Sequence, residues 1–363
     1  PAITEKGGNF MAIKYKWLAA RLREQLPDYA TQGRHRLPTE AELAAHYQVS
    51  RQTVRQALAV LTQEGLIESR QGSGSYLTGR LRDGAYNTIG ILLPGDSQYL
   101  YPTFLYDLRT ALHAEGFTLL VYKTEGKLST EREILTEILS HPPRALIVDP
   151  VQSALFNPNL DLYHALLKKS IPVVFMRHPY PQLDNCPCIL EDDISGGRIL
   201  TEYLITQGHT MIGSLFCADD ASGADRYRGM LEVIRDHRLP LPDDRAQWFS
   251  SFDLRQLFLV HSTGFIKKAV QESLHSCTAI LCHNDVVAYE LVRLLHEADD
   301  PNLTEICVVS FDHSYLCDAG SYPFLSLSHP AHAWEKRLTE TVLAPLKGQT
   351  VSSSVIEWEP IPG

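Results

Sequence analysis

Three segments near the start of the chain have the hydrophobic periodicity of amphipathic helices. The first repeats leucine every fourth position between Lys14 and Leu26 and should end near Pro27, because proline disrupts helical backbone hydrogen bonding. The second begins after Thr39, which has capping-box spacing with Glu42. The third carries an apolar stripe at positions i, i+3, i+4 and i+7: Val54, Ala57, Leu58 and Leu61. The pattern predicts a small helical domain.

The third predicted helix carries polar side chains at its beginning, directly after a short turn. Ser50 occupies the expected N-cap position, and Arg51, Gln52 and Arg55 project from the side opposite the apolar stripe. A helix N-terminus attracts phosphate through its free N–H groups, and arginine adds bidentate donors suited to guanine or phosphate. The two helices therefore predict a helix-turn-helix with a recognition helix.

Two short strand candidates follow at residues 66–69 and 75–78. The loop between them contains Arg70, Gln71 and Gly72, and its glycines let the backbone approach a phosphate chain or a minor groove closely. We therefore expect a β-hairpin here, forming the wing of a winged helix-turn-helix.

The rest of the chain alternates continuous apolar runs with helix-period segments. Strands are predicted at 88–93, 117–122, 145–148, 172–175, 212–216, 279–282 and 306–310. Helices are predicted at 102–115, 129–140, 160–169, 197–207, 228–237 and 286–296. Strands that are apolar on both faces are typical of parallel sheets covered by helices on both sides. The expected fold is an α+β winged helix-turn-helix followed by an α/β domain of two lobes.

The charge distribution also changes between the predicted winged helix-turn-helix and the predicted α/β domain. Residues 11–82 carry 11 lysines and arginines against 6 aspartates and glutamates, whereas residues 83–363 carry 21 against 36. Only the first segment is therefore suited to a polyanion such as DNA. The expected organisation is a leader or expression-vector remnant at 1–10, the winged helix-turn-helix at 11–79, a linker at 80–86, and a two-lobed ligand-binding and dimerisation domain at 87–363.

Seven cysteines between Cys186 and Cys317 form no compact framework, which favours a reduced, cytoplasmic protein over a disulfide scaffold. No apolar run reaches the roughly 18 residues of a membrane span, and the N-terminal residues lack an apolar signal core. No metal-ligand spacing or cofactor motif is present. The sequence therefore predicts no metal, no cofactor and no membrane partner.

Polar side chains follow the predicted strands of the large domain at their carboxyl ends, where open α/β sheets bind ligands. Carboxylates, amides and arginine can bond sugar hydroxyls in pairs, and aromatic rings can cover the apolar face of a sugar. The candidates of these two kinds are Asp96, Tyr99, Asp149, Asp192, Arg226, Trp248, Asn284 and Asp312. Structural alternatives stay open: Asp193 and Asp285 could cap helices, Asp219 and Asp220 could lie in a solvated loop, and Arg226 could be an ion-pair partner.

The N-terminal motifs resemble the winged helix of the GntR family of bacterial regulators. The resemblance is carried by residues 37–40, 49–51, 53–58, 64–67 and 72–75. It implies that Arg51 and Arg55 read bases or anchor phosphates and that Ser50 and Thr53 hold backbone phosphates. Gln71 and Gly72 would enter the minor groove. The remaining members of the expected DNA-binding set are Thr39, Gln52 and Arg70.

The large domain resembles the sensor domain of the lactose and galactose repressor family, which is itself similar to periplasmic sugar-binding proteins. The resemblance is carried by residues 192–197, 208–212, 226–229, 284–288 and 309–312. It implies that Asp192, Arg226, Asn284 and Asp312 hydrogen-bond the effector. His329 precedes Pro330 at a position where the family has glutamine, and it completes the expected effector site.

A GntR-type head joined to such a sensor resembles the arabinose-utilisation repressors of Gram-positive bacteria. The resemblance implies a cytoplasmic homodimer that binds roughly palindromic operator DNA and is released or modulated by a small sugar, with L-arabinose as the first guess. Two alternatives stay open. One is a sugar-acting enzyme using Asp192 and Asp312 as a carboxylate pair, and the other is a transport-type sugar-binding protein without gene control. The absence of catalytic motifs weakens the first, and the fused winged helix weakens the second.

Overall fold

The computed structural model divides the chain into two compact units, residues 1–87 and 88–363. Structure is described for residues 7–31, 34–63, 66–70, 74–78, 88–95, 101–241, 243–298, 300–317 and 322–361. Residues 1–6 of the expected leader and the expected linker at 80–86 lie outside these ranges. In the part of the chain that is described, no helix is long and apolar enough to cross a membrane.

The first unit, called the head below, contains three helices and an antiparallel hairpin among its described residues. Its elements are α1 (Gly7–Thr31), α2 (Glu40–His46), α3 (Arg51–Gln63), β1 (Ile67–Arg70) and β2 (Gly74–Leu77). The core joins leucines of α1 to the predicted apolar stripe of α3, which is buried throughout. The hairpin pairs Ile67 with Leu77 and Arg70 with Gly74. The predicted winged helix-turn-helix is confirmed.

Helix α1 is longer than the periodicity predicted, and its predicted end near Pro27 is wrong. The helix begins at Gly7, inside the stretch expected to be a leader, and continues through Pro27 to Thr31. Proline in a helix interior costs roughly 3 kcal/mol. Leu26 is fully buried, and Tyr29 packs on the same core beyond the proline. Packing on both sides offsets that cost, since tertiary contacts supply most of the stability of helices in proteins.

The second unit has two lobes, each built on a sheet. Lobe 1 begins with β3 (Thr88–Leu93), α4 (Tyr101–Ala114), β4 (Thr118–Lys123), α5 (Leu128–Ser140), β5 (Ala145–Val148), α6 (Leu160–Lys168), β6 (Val173–Met176) and β7 (Cys188–Glu191). Lobe 2 contains α7 (Asp193–Thr206), β8 (Ile212–Cys217), α8 (Ala221–Asp236), β9 (Ala246–Phe249), α9 (Ser251–Val260), α10 (Gly264–Glu272), β10 (Ala279–Cys282), α11 (Asp285–Glu297), α12 (Pro301–Thr304), β11 (Cys307–Phe311) and β12 (Leu325–Leu327). The chain returns to lobe 1 with α13 (Ala333–Leu343) and β13 (Ser354–Ile356).

Both sheets are parallel throughout, as the apolar strands predicted. The strand order is β13-β7-β6-β5-β3-β4 in lobe 1 and β12-β11-β10-β8-β9 in lobe 2. Each lobe has two apolar clusters, which lie on opposite faces of its sheet. The α/β class with two parallel sheets covered on both faces is confirmed.

Three segments connect the lobes. The first joins Glu191 at the end of β7 to Asp193 in α7, and the second joins β12 to α13. The third follows β13 and places Trp358 in an apolar cluster of lobe 2. Residues at these crossings are therefore close to both lobes, which makes them the natural position for a site between the lobes.

Two helices of lobe 2 begin earlier than the sequence predicted, and glycines explain the difference. α7 begins at Asp193 rather than residue 197, and α8 begins at Ala221 rather than residue 228. Glycine disfavours a helix interior, but here the two helices approach so closely that nothing larger fits. A Cβ at Gly197 would lie 2.2 Å from the carbonyl oxygen of Arg226, and one at Gly229 would lie 2.0 Å from that of Ile194.

Candidate nucleic-acid interface and ligand cleft

The start of the recognition helix α3 is capped as the sequence predicted. The Thr53 N–H donates to Ser50 Oγ at 3.1 Å, and the two hydroxyl oxygens lie 2.8 Å apart. Thr53 is buried, whereas Arg51 and Gln52 are exposed. The cap therefore fixes the direction from which these two side chains leave the helix.

Arg55 has a partner that the sequence analysis missed. Its Nε donates to both carboxylate oxygens of Glu40, at 3.1 and 2.8 Å. The two side chains are 70% and 37% exposed, so the ion pair remains accessible to solvent and to a ligand. Together with Ser69 and Ser75 they line an open concavity between α2, α3 and the wing. The position of Glu40 directly after the N-cap Thr39 was the available sequence signal.

The start of α2 and the wing supply the remaining predicted interface residues. Thr39 forms the expected capping box, in which its N–H donates to Glu42 Oε2 at 2.7 Å and its hydroxyl accepts from the Glu42 N–H at 3.3 Å. The guanidinium of Arg70 donates to Glu68 at 2.7 Å and lies over the ring of Tyr76 at 4.8 Å. The predicted contacts Gln71 and Gly72 lie outside the described residues.

In the large domain, Arg226 is the centre of a buried charged cluster. Its Nε donates to Asp193 at 2.7 Å and its Nη2 to Glu191 at 2.8 Å, while Nη1 donates to the carbonyl of His283. The guanidinium carbon lies 4.1 Å from the centroid of the Phe311 ring. Burial disfavours the charge, but the two carboxylates outweigh it and raise the pKa of Arg226. Because Glu191 belongs to lobe 1, this cluster joins the lobes.

Arg177 extends the cluster within lobe 1, although the sequence analysis did not select it. Its Nη1 donates to both oxygens of Asp149, at 2.9 and 2.8 Å, and its Nε lies 3.7 Å from Glu191. On the other side of Glu191, His329 Nε2 lies 3.5 Å away, and this imidazole stacks on Trp358 at 3.7 Å. Burial favours a neutral Glu191, but Arg177 and the other cations overcome it and lower the pKa of the carboxyl. Arg177 thus connects Asp149 to Glu191, the same carboxylate that His329 faces.

Two predicted ligand contacts are helix caps. Asp192 Oδ1 accepts from the Ser195 N–H at 3.2 Å at the start of α7, and Asn284 Oδ1 accepts from the Val287 N–H at 3.1 Å at the start of α11. The expectation that the aspartate following each of them forms the cap is therefore wrong. Both capping side chains stand at carboxyl ends of strands, and their role in ligand binding remains a prediction.

Asp285 is fully buried behind its capping neighbour. Its carboxylate accepts from the N–H and hydroxyl of Ser314, at 2.7 and 2.8 Å, and from Ser326 Oγ at 2.6 Å. Burial and the nearby Asp312 raise the pKa of Asp285 to about 7. Asp312 itself has a φ of +98°, a left-handed conformation that costs energy for a residue other than glycine and that is common at functional sites.

The lobes contact each other directly on the opposite side of the cleft. Gln152 Nε2 donates to Asp219 at 3.0 Å, and Ser153 Oγ donates to Asp220 at 2.9 Å while accepting from the Ala221 N–H at 2.9 Å. The solvated-loop alternative for the two aspartates is therefore wrong. The sequence signal was their position at the end of β8.

Several buried polar atoms around the cleft have no hydrogen-bond partner among the described residues. They are His178 Nε2, Asp193 Oδ2, Ser222 Oγ, His283 Nδ1, Ser310 Oγ and His329 Nε2. Native proteins leave few buried polar groups unsatisfied, and such groups are costly. The residues that carry them contact or neighbour the Arg226 cluster and the aspartates facing it, so the cleft offers donors and acceptors to a polar, hydroxyl-bearing ligand.

Trp248, another predicted effector residue, lies away from the Arg226 cluster. Trp248 is on the edge strand β9, is 42% exposed and packs against Tyr227 at 5.2 Å and Phe216 at 6.2 Å. The described contacts do not join it to the Arg226 cluster. Asp96 and Tyr99 lie outside the described residues.

One group of possible metal ligands occurs within the described ranges. Asp107 of α4 faces His332 and Glu335 at the start of α13, with all three ligand atoms within 4.8 Å of one another. His332 Nδ1 lies 3.1 Å from Asp107 Oδ2. An ion pair accounts for this contact without a metal.

The ionisable groups of the cleft predict a particular dependence of sensor stability on pH. The pKa of folded Asp285 is raised to about 7 from 3.8, so its stabilising contribution is full below pH 4 and is lost as the pH rises toward 7. Burial disfavours the charged form of His178 and His329, but nearby carboxylates outweigh it and raise the pKa values of both. Their contributions to stability are lost as the pH rises above 6.5. Glu191, Asp219 and Asp220 have lowered pKa values and lose their contributions on acidification below about pH 4.

We therefore expect the large domain to be most stable at about pH 4.5 and to lose stability as the pH rises from there through 7. Urea unfolding followed by tryptophan fluorescence at several pH values measures this change, with a limit of about 1.4 kcal/mol per pH unit for one proton. Asp285→Asn cannot titrate and should flatten the slope below pH 7. A slope that rises with pH, or that is equal in the variant, contradicts the assignment.

Comparison with known proteins matches two different families to the N-terminal and C-terminal parts of the chain. Residues 14–77 match the family described as bacterial regulatory proteins, gntR family. Residues 86–360 match periplasmic binding proteins and sugar binding domain of LacI family. The chain is 30% identical over 318 residues to an arabinose metabolism transcriptional repressor of Geobacillus stearothermophilus, covering 87% of this chain and 86% of the relative. A repressor of the same description from Halalkalibacterium halodurans is 27% identical, with 88% and 86% covered.

Solved structures share the fold at low sequence identity. A transcriptional regulator CelR in complex with cellobiose has a TM-score of 0.65 at 15% identity, covering 90% of this chain and 99% of that one. A periplasmic binding protein/LacI transcriptional regulator from Alkaliphilus metalliredigens, in complex with D-xylulofuranose, has a TM-score of 0.62 at 21% identity, covering 76% and 97%.

Proposed function

This chain belongs to the family of periplasmic binding proteins and LacI-type sugar-binding domains, joined to a GntR-type head, and we propose that it is a transcriptional repressor released from its operator by L-arabinose. The head binds DNA, and the two-lobed domain senses the sugar. The relatives that match over most of both chains are arabinose metabolism repressors, which supports the choice of sugar. We further propose that the protein acts as a cytoplasmic homodimer on a roughly palindromic operator.

The observation that carries the proposal is the cluster between the lobes. It combines guanidinium groups, carboxylates and imidazoles from both lobes, and its carboxylates Glu191 and Asp193 flank a segment where the chain crosses between the lobes. Such groups recognise hydroxyls in pairs. Acidic side chains predominate over the two arginines, so the cleft favours an uncharged sugar and disfavours a phosphorylated one.

The proposed mechanism follows from the position of this cluster. A sugar that bonds residues of both lobes stabilises one lobe arrangement relative to another. In a dimer, movement of the lobes changes the distance and orientation between the two heads. It therefore changes how well the heads fit two half-sites. The sugar acts only to the extent that it binds the two arrangements with different affinity.

Operator selection followed by a sugar panel tests the proposal. Duplexes recovered by the purified protein from a random pool should share a palindromic motif. L-arabinose should weaken binding to that motif at least tenfold, whereas D-ribose 5-phosphate should have no effect. Calorimetry with the same compounds separates sugar binding from release of DNA. Recovery of no motif would exclude DNA recognition, and binding of a different sugar with operator release would exclude arabinose as the effector.

A further inference from the structure

Lobe 1 contains a carboxylate, Glu131, that is fully buried and has no ion-pair partner among the described residues. One oxygen accepts from the hydroxyls of Tyr163 and Tyr180, at 2.5 and 2.8 Å. The other accepts from the side-chain amides of Asn157 and Asn159, at 2.9 and 2.8 Å. Four neutral donors thus converge on one buried anion, an arrangement that is costly unless every bond is made.

Three of these donors hold the same segment of chain, residues 149–159, called the bridging loop below. Asn157 and Asn159 belong to its end. Near its beginning, the Val151 N–H donates to the hydroxyl of Tyr180 at 2.9 Å, and that hydroxyl donates onward to Glu131. Glu131 therefore fixes the loop at both ends, whereas the Tyr163 hydroxyl bonds only the carboxylate; the backbone N–H of Tyr163 donates to the Asn159 carbonyl at 3.4 Å as helix α6 begins.

Between these anchors, the loop crosses to lobe 2. Its middle contains Gln152, which has a φ of +56°, a conformation that a non-glycine residue adopts only when its surroundings impose it. From there Gln152 and Ser153 donate to Asp219 and Asp220 of lobe 2. The Ala154 N–H adds a bond to the Asp219 carbonyl at 3.2 Å.

The same loop begins with Asp149, which is held by Arg177 in the cleft. On the facing lobe, His283 Nε2 lies 3.5 Å from Asp220, and burial favours a neutral Asp220 while His283 lowers the pKa of its carboxyl. The bridging loop is therefore continuous with the ligand cleft on both sides. Its position determines where Asp149 and Asp220 present their oxygens.

We propose that Glu131 is a positioning residue for the ligand cleft, which holds the bridging loop through Tyr180 and the two asparagines so that Gln152 and Ser153 bond lobe 2. Glutamine at this position cannot replace the carboxylate. In one orientation its NH₂ group would face the side-chain amides of Asn157 and Asn159, which are also donors. In the other it would face the Tyr180 hydroxyl, which already accepts from the Val151 N–H. The effect on sugar binding, but not the effect on the loop, rests on the proposed function.

Two tyrosines offer a matched pair of variants. Tyr180→Phe and Tyr163→Phe each remove one hydroxyl bonded to the same Glu131 oxygen, and both rings are fully buried. Of the two hydroxyls, only that of Tyr180 also bonds the loop. In hydrogen–deuterium exchange of the full chain, Tyr180→Phe and Glu131→Gln should accelerate exchange about tenfold or more in peptides covering the bridging loop. They should also accelerate it across the cleft in residues 219–223, because the Ala221 N–H depends on Ser153.

Tyr163→Phe should leave residues 219–223 at the wild-type rate, even if it lowers the unfolding temperature as much as Tyr180→Phe does. Ser153→Ala should accelerate exchange in residues 219–223 while leaving the peptide of α5 unchanged. Equal exchange in residues 219–223 for both tyrosine variants would overturn the proposal and leave Glu131 with a purely local role.

Calorimetry with L-arabinose as the probe adds a functional measurement. Tyr180→Phe should weaken binding about tenfold relative to Tyr163→Phe, with sugar-free operator affinity unchanged in both. If the wild-type protein does not bind L-arabinose, the proposed effector is wrong, while the exchange measurement still decides the role of Glu131. If the sugar binds wild type and both variants equally, the positioning role is wrong.

Discussion

Replacing Arg55 with alanine is expected to weaken operator binding at physiological salt by at least about 30-fold. Arginine bonded bidentately to guanine contributes about 1–3 kcal/mol of discrimination, and a homodimer loses this contact in both half-sites. The combined loss of about 2–6 kcal/mol corresponds to a roughly 30-fold to 20,000-fold weaker complex. Arg51→Ala should have an effect of the same order, because Arg51 occupies the first turn of the capped helix, where side chains reach base edges.

The loss should arise at the interface and not from unfolding of the head. Alanine is the best helix former, and the exposed ion pair between Arg55 and Glu40 stabilises the head by at most about 1 kcal/mol. Fluorescence anisotropy with the selected operator and with unrelated DNA measures both affinities. Gln56→Ala is the control, since Gln56 is exposed on the same helix. If Arg55→Ala binds the operator as tightly as Gln56→Ala does, α3 is not the recognition helix.

Much of the head could be predicted because its structure depends on local signals. The capping box at Thr39, the N-cap at Ser50 and the apolar stripe of α3 each lie within a few residues of sequence, and all three are present. The ion pair of Arg55 with Glu40 joins residues 15 positions apart on two helices. Periodicity shows which face of a helix is polar, but it does not show which residue of another helix a polar side chain contacts. The ion pair of Arg55 with Glu40 could therefore not be predicted from it.

The order of strands and helices in the large domain was also predictable, but its short elements were not. Strands of three or four residues such as β12 and β13 are too short to show a period. The starts of α7 and α8 were predicted too late in the sequence. Glycine generally disfavours helices, but close packing of these two helices requires it. In both cases tertiary contacts determine the local structure.

The cleft was predicted in part, since strand ends are where such sites form. Arg226 and His329 face Glu191, and Arg177 connects Asp149 to the same carboxylate. Glu191 itself directly precedes the motif at residues 192–197 and was not among the predicted residues. Arg177 and His178 follow β6, whose end carries no conspicuous motif. The buried Glu131 lies in a helix whose sequence resembles a solvated amphipathic helix, and only the fold shows that four donors from later segments surround it.

Arg226→Met is expected to destabilise the large domain by about 3–5 kcal/mol. The substitution keeps an extended apolar side chain over Phe311 but leaves Glu191 and Asp193 buried without the charge that compensates them. For a domain of this size each kcal/mol lowers the unfolding temperature by about 2–4 °C, so a decrease of roughly 10 °C should be measured by calorimetry. Sugar binding should be lost as well, because the connection between the lobes is broken.

Arg228→Met is the matched control. Arg228 lies two residues after Arg226 on the same helix, but its side chain is 65% exposed and is paired only with Glu232 in the described contacts. It should change stability by no more than about 0.5 kcal/mol. Adding Glu191→Gln and Asp193→Asn to Arg226→Met should recover part of the loss, because uncompensated charge and not packing is its main cause. Equal stability of the two methionine variants would show that the cluster is not what joins the lobes. Loss without any recovery in the triple variant would instead assign the effect to packing against Phe311.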